Sequence, residues 1–187
     1  GSTAKISAKG LMINDSIKIG KWDFFRKDGS KKNSGDFDKN KKTGEWEYWY
    51  KSGDNEKVGF FKNDMMDGKW EGWYYSGQKF YVRTYKLGKK EGLWAWWNSD
   101  GSKKYEGMYL NDKKDGKWSQ WNEKGDIIIE GSYYNDIKWS GIFEDGRYYK
   151  GRMASRFEDY YENGTLKAQG LQIGDIKLDM WNYYYEN

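Results

Sequence analysis

The chain has 187 residues, 33 Lys and Arg against 29 Asp and Glu, and no cysteine, histidine or proline. Without cysteine and histidine the residues supply no disulfide, no thiol nucleophile, no His-based acid–base or triad chemistry and few transition-metal ligands, and no cofactor is expected. A mean hydropathy of −1.16 by itself suggests disorder, but an aromatic content of 20% argues for a folded chain, because large rings are scarce in disordered segments.

In chain order, Gly1-Ser2 reads as an expression scar, compatible with a signal peptide or lipid anchor upstream. The stretch 5–19 reads as the second half of a repeat, and its Gly10-Leu11-Met12-Ile13-Asn14-Asp15 echoes Gly170-Leu171-Gln172-Ile173-Gly174-Asp175. Residues 20–139 then hold five regular repeats with Gly-x-Trp every 24 residues, at Gly20/Trp22, Gly44/Trp46, Gly68/Trp70, Gly92/Trp94 and Gly116/Trp118. Phe37, Phe61, Tyr85, Tyr109 and Tyr133 keep the same beat. A fixed period in this range marks a repeat architecture, in which each unit buries its apolar surface against its neighbours.

Within one repeat, Glu45 to Lys51 and Glu56 to Lys62 are short and rich in aromatics and read as strands, with Ser52-Gly53-Asp54-Asn55 as a tight turn between them. Centring that turn on Gly53-Asp54, and the next on Met65-Met66, places Trp46 opposite Phe61, Phe61 opposite Trp70, and Tyr48 over Gly59. Phe24 over Gly35 and Trp96 over Gly107 follow the same rule, while the third repeat reverses the pair with Gly72 and Arg83. The expected result is one continuous aromatic ladder, with rings covering cross-strand glycines.

Residues 140–156 form an irregular short hairpin around Asp145-Gly146, and 157–187 a C-terminal repeat and cap in which Phe157 and Trp181 resume the beat in a new phase. Residues 1–187 thus read as a single repeat domain. The expected fold is all-β: an elongated single antiparallel sheet of tandem 24-residue β-hairpin repeats. Roughly fourteen strands would span about 65 Å at about 4.8 Å each, with almost no helix.

A third aromatic column, Phe25, Trp49, Trp73, Trp97 and Trp121, follows each repeat Trp by three residues, so strand alternation puts it on the opposite face. Its expected cross-strand partners are Ser34, Val58, Val82, Glu106 and Glu130. The bland reading is core or a dimer seam. The sharp one is a binding track of Trp49, Trp73, Trp97 and Trp121, about 9.6 Å apart, beside Glu47, Glu71, Glu106 and Glu130. Lys41-Lys42, Lys89-Lys90 and Lys113-Lys114 fall on one rim, with Met65-Met66 in the corresponding place of another repeat. That rim reads as a solvated edge or, alternatively, as a track for an anionic membrane surface or polymer. The carboxylates sit mainly in turns and at strand ends. Interleaved charge disfavours nucleic acid, and no apolar run is long enough to span a bilayer.

The units 68–91 and 92–115, with their Gly-x-Trp, Gly-centred turn, Glu-Gly-x-Tyr and Asn-Asp-Lys-Lys-x-Gly or Gly-Lys-Lys-x-Gly link, resemble the bacterial variant of the MORN (membrane occupation and recognition nexus) repeat, some members of which are labelled antitoxin-like. Arg83 departs from the Glu-Gly position. The resemblance covers residues 5–187 apart from 141–156 and implies an interaction scaffold. Alternating Gly-Trp, paired tyrosines and Asn/Asp-Gly turns also resemble choline- and glucan-binding wall repeats, whose units are shorter. The expected function is therefore a non-catalytic protein-interaction scaffold, placed in the periplasm or on the cell surface of a bacterium in preference to the cytoplasm. Its partner would be another protein or a second copy. The alternative is a module that binds carbohydrate or cell-wall polymer through the Trp track.

Overall fold

A computed structural model describes residues 6–186, so residues 1–5, with the first residue of the expected half-repeat, and residue 187 lie outside it. The described residues are strands, turns and irregular links without a helix. β1 (Ala8–Ile13), β2 (Ile17–Phe25), β3 (Lys31–Asp38), β4 (Lys41–Trp49) and β5 (Asn55–Lys62) are followed by β6 (Met65–Trp73), β7 (Lys79–Lys86), β8 (Lys89–Trp97), β9 (Lys103–Leu110) and β10 (Lys113–Trp121). With β11 (Ile127–Tyr134), β12 (Ile137–Phe143), β13 (Gly146–Tyr149) and β14 (Arg152–Met153) they make one 14-stranded antiparallel sheet of successive hairpins, which is not closed. The all-β, single-sheet hairpin architecture read from the repeat is the one found.

The last beat departs from it. β15 (Ser155–Tyr160), β16 (Leu166–Ile173) and β17 (Ile176–Tyr183) form a separate 3-stranded sheet. Pairing ends at β14, which has only 2 residues. So short a strand leaves little ladder for a successor. The irregular hairpin therefore divides two sheets instead of interrupting one.

Two kinds of turn set the register. At one edge Asn63 and Asp64 have φ of 50° and 66°, and Asn111 and Asp112 of 50° and 70°. Positive φ at both central residues is the type I′ hairpin, whose twist matches that of the strands. At the other edge the Tyr50 N–H donates to the Asp54 carbonyl at 2.8 Å and the Gly53 N–H to the Tyr50 carbonyl at 3.1 Å, with Gly53 at φ 99°. This is a three-residue loop closed by a left-handed glycine, and it recurs after Phe25, Trp73, Trp97, Trp121 and Tyr160.

Those loops correct the expected pairings. Trp46 lies opposite Gly59 and Tyr48 opposite Lys57, not opposite Phe61 and Gly59. Across the next turn Gly59 opposes Trp70, while Phe61 opposes Met66. The displacement is two residues, an even number, so each side chain keeps its face. One paired row now runs Trp22, Gly35, Trp46, Gly59, Trp70, Arg83, Trp94, Gly107, Trp118, Gly131. A second row on that face runs Phe24, Asn33, Tyr48, Lys57, Gly72, Tyr81, Trp96, Tyr105, Gln120, Ile129.

The rings pack as an edge-to-face ladder, with centroids 5.2 Å apart for Phe37–Trp46, 5.0 Å for Phe61–Trp70 and 5.2 Å for Tyr109–Trp118. Each indole covers the glycine of the preceding strand: Trp46 over Gly35, Trp70 over Gly59, Trp118 over Gly107. The ring over Gly59 thus belongs to the next repeat and is not Tyr48, and the rings over Gly35 and Gly107 are not Phe24 and Trp96. In the third repeat Tyr81 covers Gly72, and Arg83 stands where the others have glycine.

Each indole N–H also donates to a carbonyl at the point where the ladder of the preceding strand is interrupted: Trp46 to Asp36 at 3.2 Å, Trp70 to Phe60 at 3.1 Å, Trp94 to Thr84 at 2.8 Å. Tryptophan fills these positions because it supplies both the ring that buries the glycine and the donor that satisfies the stranded carbonyl.

Candidate interaction faces

The sheet has a ladder face and a reverse face, and their chemistries differ. The central row of the reverse face runs Asp23, Ser34, Glu47, Val58, Glu71, Val82, Ala95, Glu106, Ser119, Glu130. The two paired rows of the ladder face contain no aspartate or glutamate, and their charged members are Lys57 and Arg83. Cations stand on both faces, but the carboxylates of these rows fall on the reverse face alone, because a strand sends alternate side chains to opposite sides.

Trp49, Trp73, Trp97 and Trp121 end their strands on the reverse face, two residues beyond Glu47, Glu71, Ala95 and Ser119. All four are half-buried. They oppose Asn55, Lys79, Lys103 and Ile127, and Phe25 opposes Lys31, so the partner set expected for this column is displaced by three residues, one more than the ladder rows, because the register shifts again just before each of these rings. Lys31 is ion-paired with Asp23 at 2.8 Å and rests its ammonium 4.7 Å from the Trp49 ring. Lys79 pairs with Glu71 at 2.8 Å and lies 5.9 Å from Trp97, and Lys103 pairs with Glu106 at 2.7 Å and lies 5.4 Å from Trp121. Among the described residues no ammonium lies over Trp73, which instead lines a shallow cleft with Asp54, Asn55 and Tyr75. The track is also tied from repeat to repeat by backbone: Tyr50 donates its hydroxyl to the Trp73 carbonyl at 2.7 Å, Tyr74 to that of Trp97 at 2.8 Å, and Arg26 to that of Trp49.

Hydrogen bonds from Lys31 and Ser34 hold the Asp23 carboxyl below its ordinary range. Burial pushes the Glu71 carboxyl up, but hydrogen bonds from Lys79 and Lys69 outweigh it and keep it low. Asp23, Glu71, Glu106 and Glu130 are therefore structural ion-pair partners, and among the described residues no three carboxylates gather into a metal-holding group.

The lysine rim is not one solvated edge. Lys41, Lys89 and Lys113 are exposed, whereas Lys42, Lys90 and Lys114 fold over the ladder. The Lys42 ammonium lies 4.3 Å from Trp46 and 4.9 Å from Phe61, that of Lys90 4.9 Å from Trp94, and that of Lys114 4.4 Å from Trp118 and 4.8 Å from Tyr133. Cation–π attraction and burial of the lysine stem explain the posture, and burial lowers the Lys42 and Lys114 pKa. The backbone N–H of the same lysine donates to the turn aspartate of the following repeat, Lys42 to Asp64 at 2.8 Å and Lys114 to Asp136 at 2.7 Å. A signal for this was present in the sequence: each of these lysines stands four residues before its Trp, an even spacing that places both on one face.

In the same face Arg83 lays its guanidinium 4.0 Å from Tyr81 and 4.8 Å from Trp96, and its buried Nε has no hydrogen-bond partner. It spans the one place where Trp70 and Trp94 have no glycine between them.

The ladder face should show itself on alkaline titration. Burial pushes the Tyr48 phenol from 10.0 up to about 12, and raises Tyr81, Tyr105, Tyr109 and Tyr133. A raised folded pKa contributes stability that is complete below pH 10 and is lost as pH rises towards the folded value. Phenolate absorbance and circular dichroism should therefore change together between about pH 10 and 12. If all the tyrosines ionised near their ordinary value with the sheet intact, the burial of this face would be refuted.

Neither a scan against protein-family models nor a search of curated proteins gives a match to this chain.

Proposed function

We propose that this chain is a non-catalytic protein-interaction scaffold of the bacterial MORN-variant type, working at a cell surface or in the periplasm, with Trp49, Trp73, Trp97 and Trp121 as its contact track. The observation that carries the reading is an unclosed 14-stranded sheet whose reverse face repeats one Trp in each of four successive hairpins. Aromatic anchors flanked by charge are the composition of binding hot spots, where one truncation weakens binding by about 2 kcal/mol or more.

Trp73→Ala and Trp97→Ala are expected to weaken partner capture or self-association while leaving the far-ultraviolet spectrum and unfolding midpoint nearly unchanged. Sedimentation of wild type and variants, with affinity capture from lysate alongside, reads the effect. Glycan-dependent quenching of tryptophan fluorescence, lost in the same variants, would move the track to the carbohydrate-binding alternative. If Trp73→Ala unfolds the sheet as badly as loss of a ladder indole, the track is core and the assignment fails.

A further inference from the structure

In the second row of the ladder face each of the first four hairpins carries at least one ring, Phe24, Tyr48, Tyr81 and the pair Trp96 and Tyr105, whereas the fifth has Gln120 opposite Ile129 and none. Where the row is filled, Tyr48 sits between two ladder indoles, 6.3 Å from Trp46 and 6.3 Å from Trp70. Where it stops there is a cleft of about 210 Å³, walled by Tyr105, Tyr109, Trp118, Ile129 and Tyr133, with Lys114 and the Gln120 amide among its lining residues. Pockets that hold whole small molecules run to roughly 300–1,000 Å³, so this one has room for a single ring.

We propose that this gap is a docking pocket for one aromatic side chain of a protein partner, presented between acidic residues. The inference rests on the scaffold reading and gives it a partner chemistry. The incoming ring would restore the interrupted row, packing against Tyr105 and Trp118 as Tyr48 packs against its own neighbours. The acidic flanks follow from charge. Lys114 makes no ion pair among the described residues, and its ammonium rests over Trp118 and Tyr133 with Asp136 as its nearby negative charge. A second ammonium, Lys90, lies 4.8 Å from the Tyr109 ring that walls the cleft, and Lys138 also acts on Lys114, so cations outnumber the one carboxylate, Asp136, that acts on it. A neutral or basic segment would add nothing against this local excess of positive charge, whereas a carboxylate beside the ring meets it.

The repeats themselves supply the test variants. Gln120→Tyr installs the ring that Tyr48 supplies in the second repeat, and Lys114→Met installs the residue that Met66 supplies in the same repeat. Both substitutions should therefore keep the fold, which circular dichroism verifies. The probe is a fluorescein-labelled peptide with one tyrosine flanked on both sides by glutamates, titrated against the whole chain by anisotropy at low and high salt. Wild type should bind. Gln120→Tyr should weaken binding by about tenfold or more by filling the pocket, and Lys114→Met should weaken it similarly at low salt while flattening the salt dependence.

The proposal is overturned if wild type does not bind, if Gln120→Tyr binds as wild type does, or if a peptide with alanine in place of the tyrosine binds equally well. Displacement of the peptide by a uronic-acid oligomer that itself binds more tightly would also overturn it, in favour of a sugar. Binding that survives in Trp73→Ala and Trp97→Ala while partner capture is lost separates the pocket from the reverse-face track, so either can fail without the other.

Discussion

Trp70→Ala should be among the most damaging single truncations in the sheet, destabilising it by about 3–5 kcal/mol. Trp70 is 1% exposed, its ring lies against Gly59, Phe61 packs on it at 5.0 Å, and its N–H satisfies the Phe60 carbonyl at 3.1 Å. Alanine would leave a cavity, an uncovered glycine and a carbonyl without its donor, three losses at one point. Because each repeat contacts only its neighbours, the loss falls on the middle of the array and divides it. Equilibrium denaturation followed by circular dichroism checks this against Trp73→Ala. A midpoint shift no larger than that of Trp73→Ala would show that the ladder is not the core.

The second large effect comes from adding one methyl group. Gly59 has ordinary strand dihedrals, yet a Cβ built there would stand 2.0 Å from Cδ2 of Trp70. The indole cannot swing aside, since it is buried and hydrogen-bonded. Gly59→Ala is therefore expected to destabilise by about 1–3 kcal/mol or more through overpacking. In a Trp70→Ala background the penalty should largely vanish, a coupling that a double-mutant cycle measures directly. Gly68→Ala provides the contrast. Gly68 sits at φ 81° with its nearest side-chain atom, Phe60 Cβ, 3.9 Å away, so its cost is backbone strain of about 1–2 kcal/mol and should persist when Trp70 is removed. Equal penalties for Gly59→Ala in both backgrounds would refute the ring-over-glycine packing.

The two glycines explain why the repeat is so visible in the sequence. The glycine of Gly-x-Trp takes positive φ at Gly20, Gly44, Gly68, Gly92 and Gly116, and the cross-strand glycine at Gly35, Gly59 and Gly107 must leave room for an indole. Neither requirement admits a substitute without cost, except where Arg83 and Tyr81 exchange the roles of ring and gap. Constraints of that kind act on single residues at fixed spacing, so period, strand identity and face are all written along the chain.

What the sequence determined by itself was the all-β hairpin array, the ladder of Trp with Phe or Tyr, and the opposite facing of Trp49, Trp73, Trp97 and Trp121, because all of these follow from a 24-residue period and strand alternation. Only the tertiary structure decided the register, since a three-residue loop and a two-residue loop can be drawn on the same Gly-rich segment and differ by whole residue pairs. It also decided that Lys42, Lys90 and Lys114 lie over rings, that the carboxylates of the central rows fall on the reverse face, that the last repeat leaves the main sheet, and that the ring missing at Gln120 opens a cleft. Each of these depends on which residues of neighbouring strands meet, and that is fixed by hydrogen-bond pairing across the sheet and not by any order along the chain.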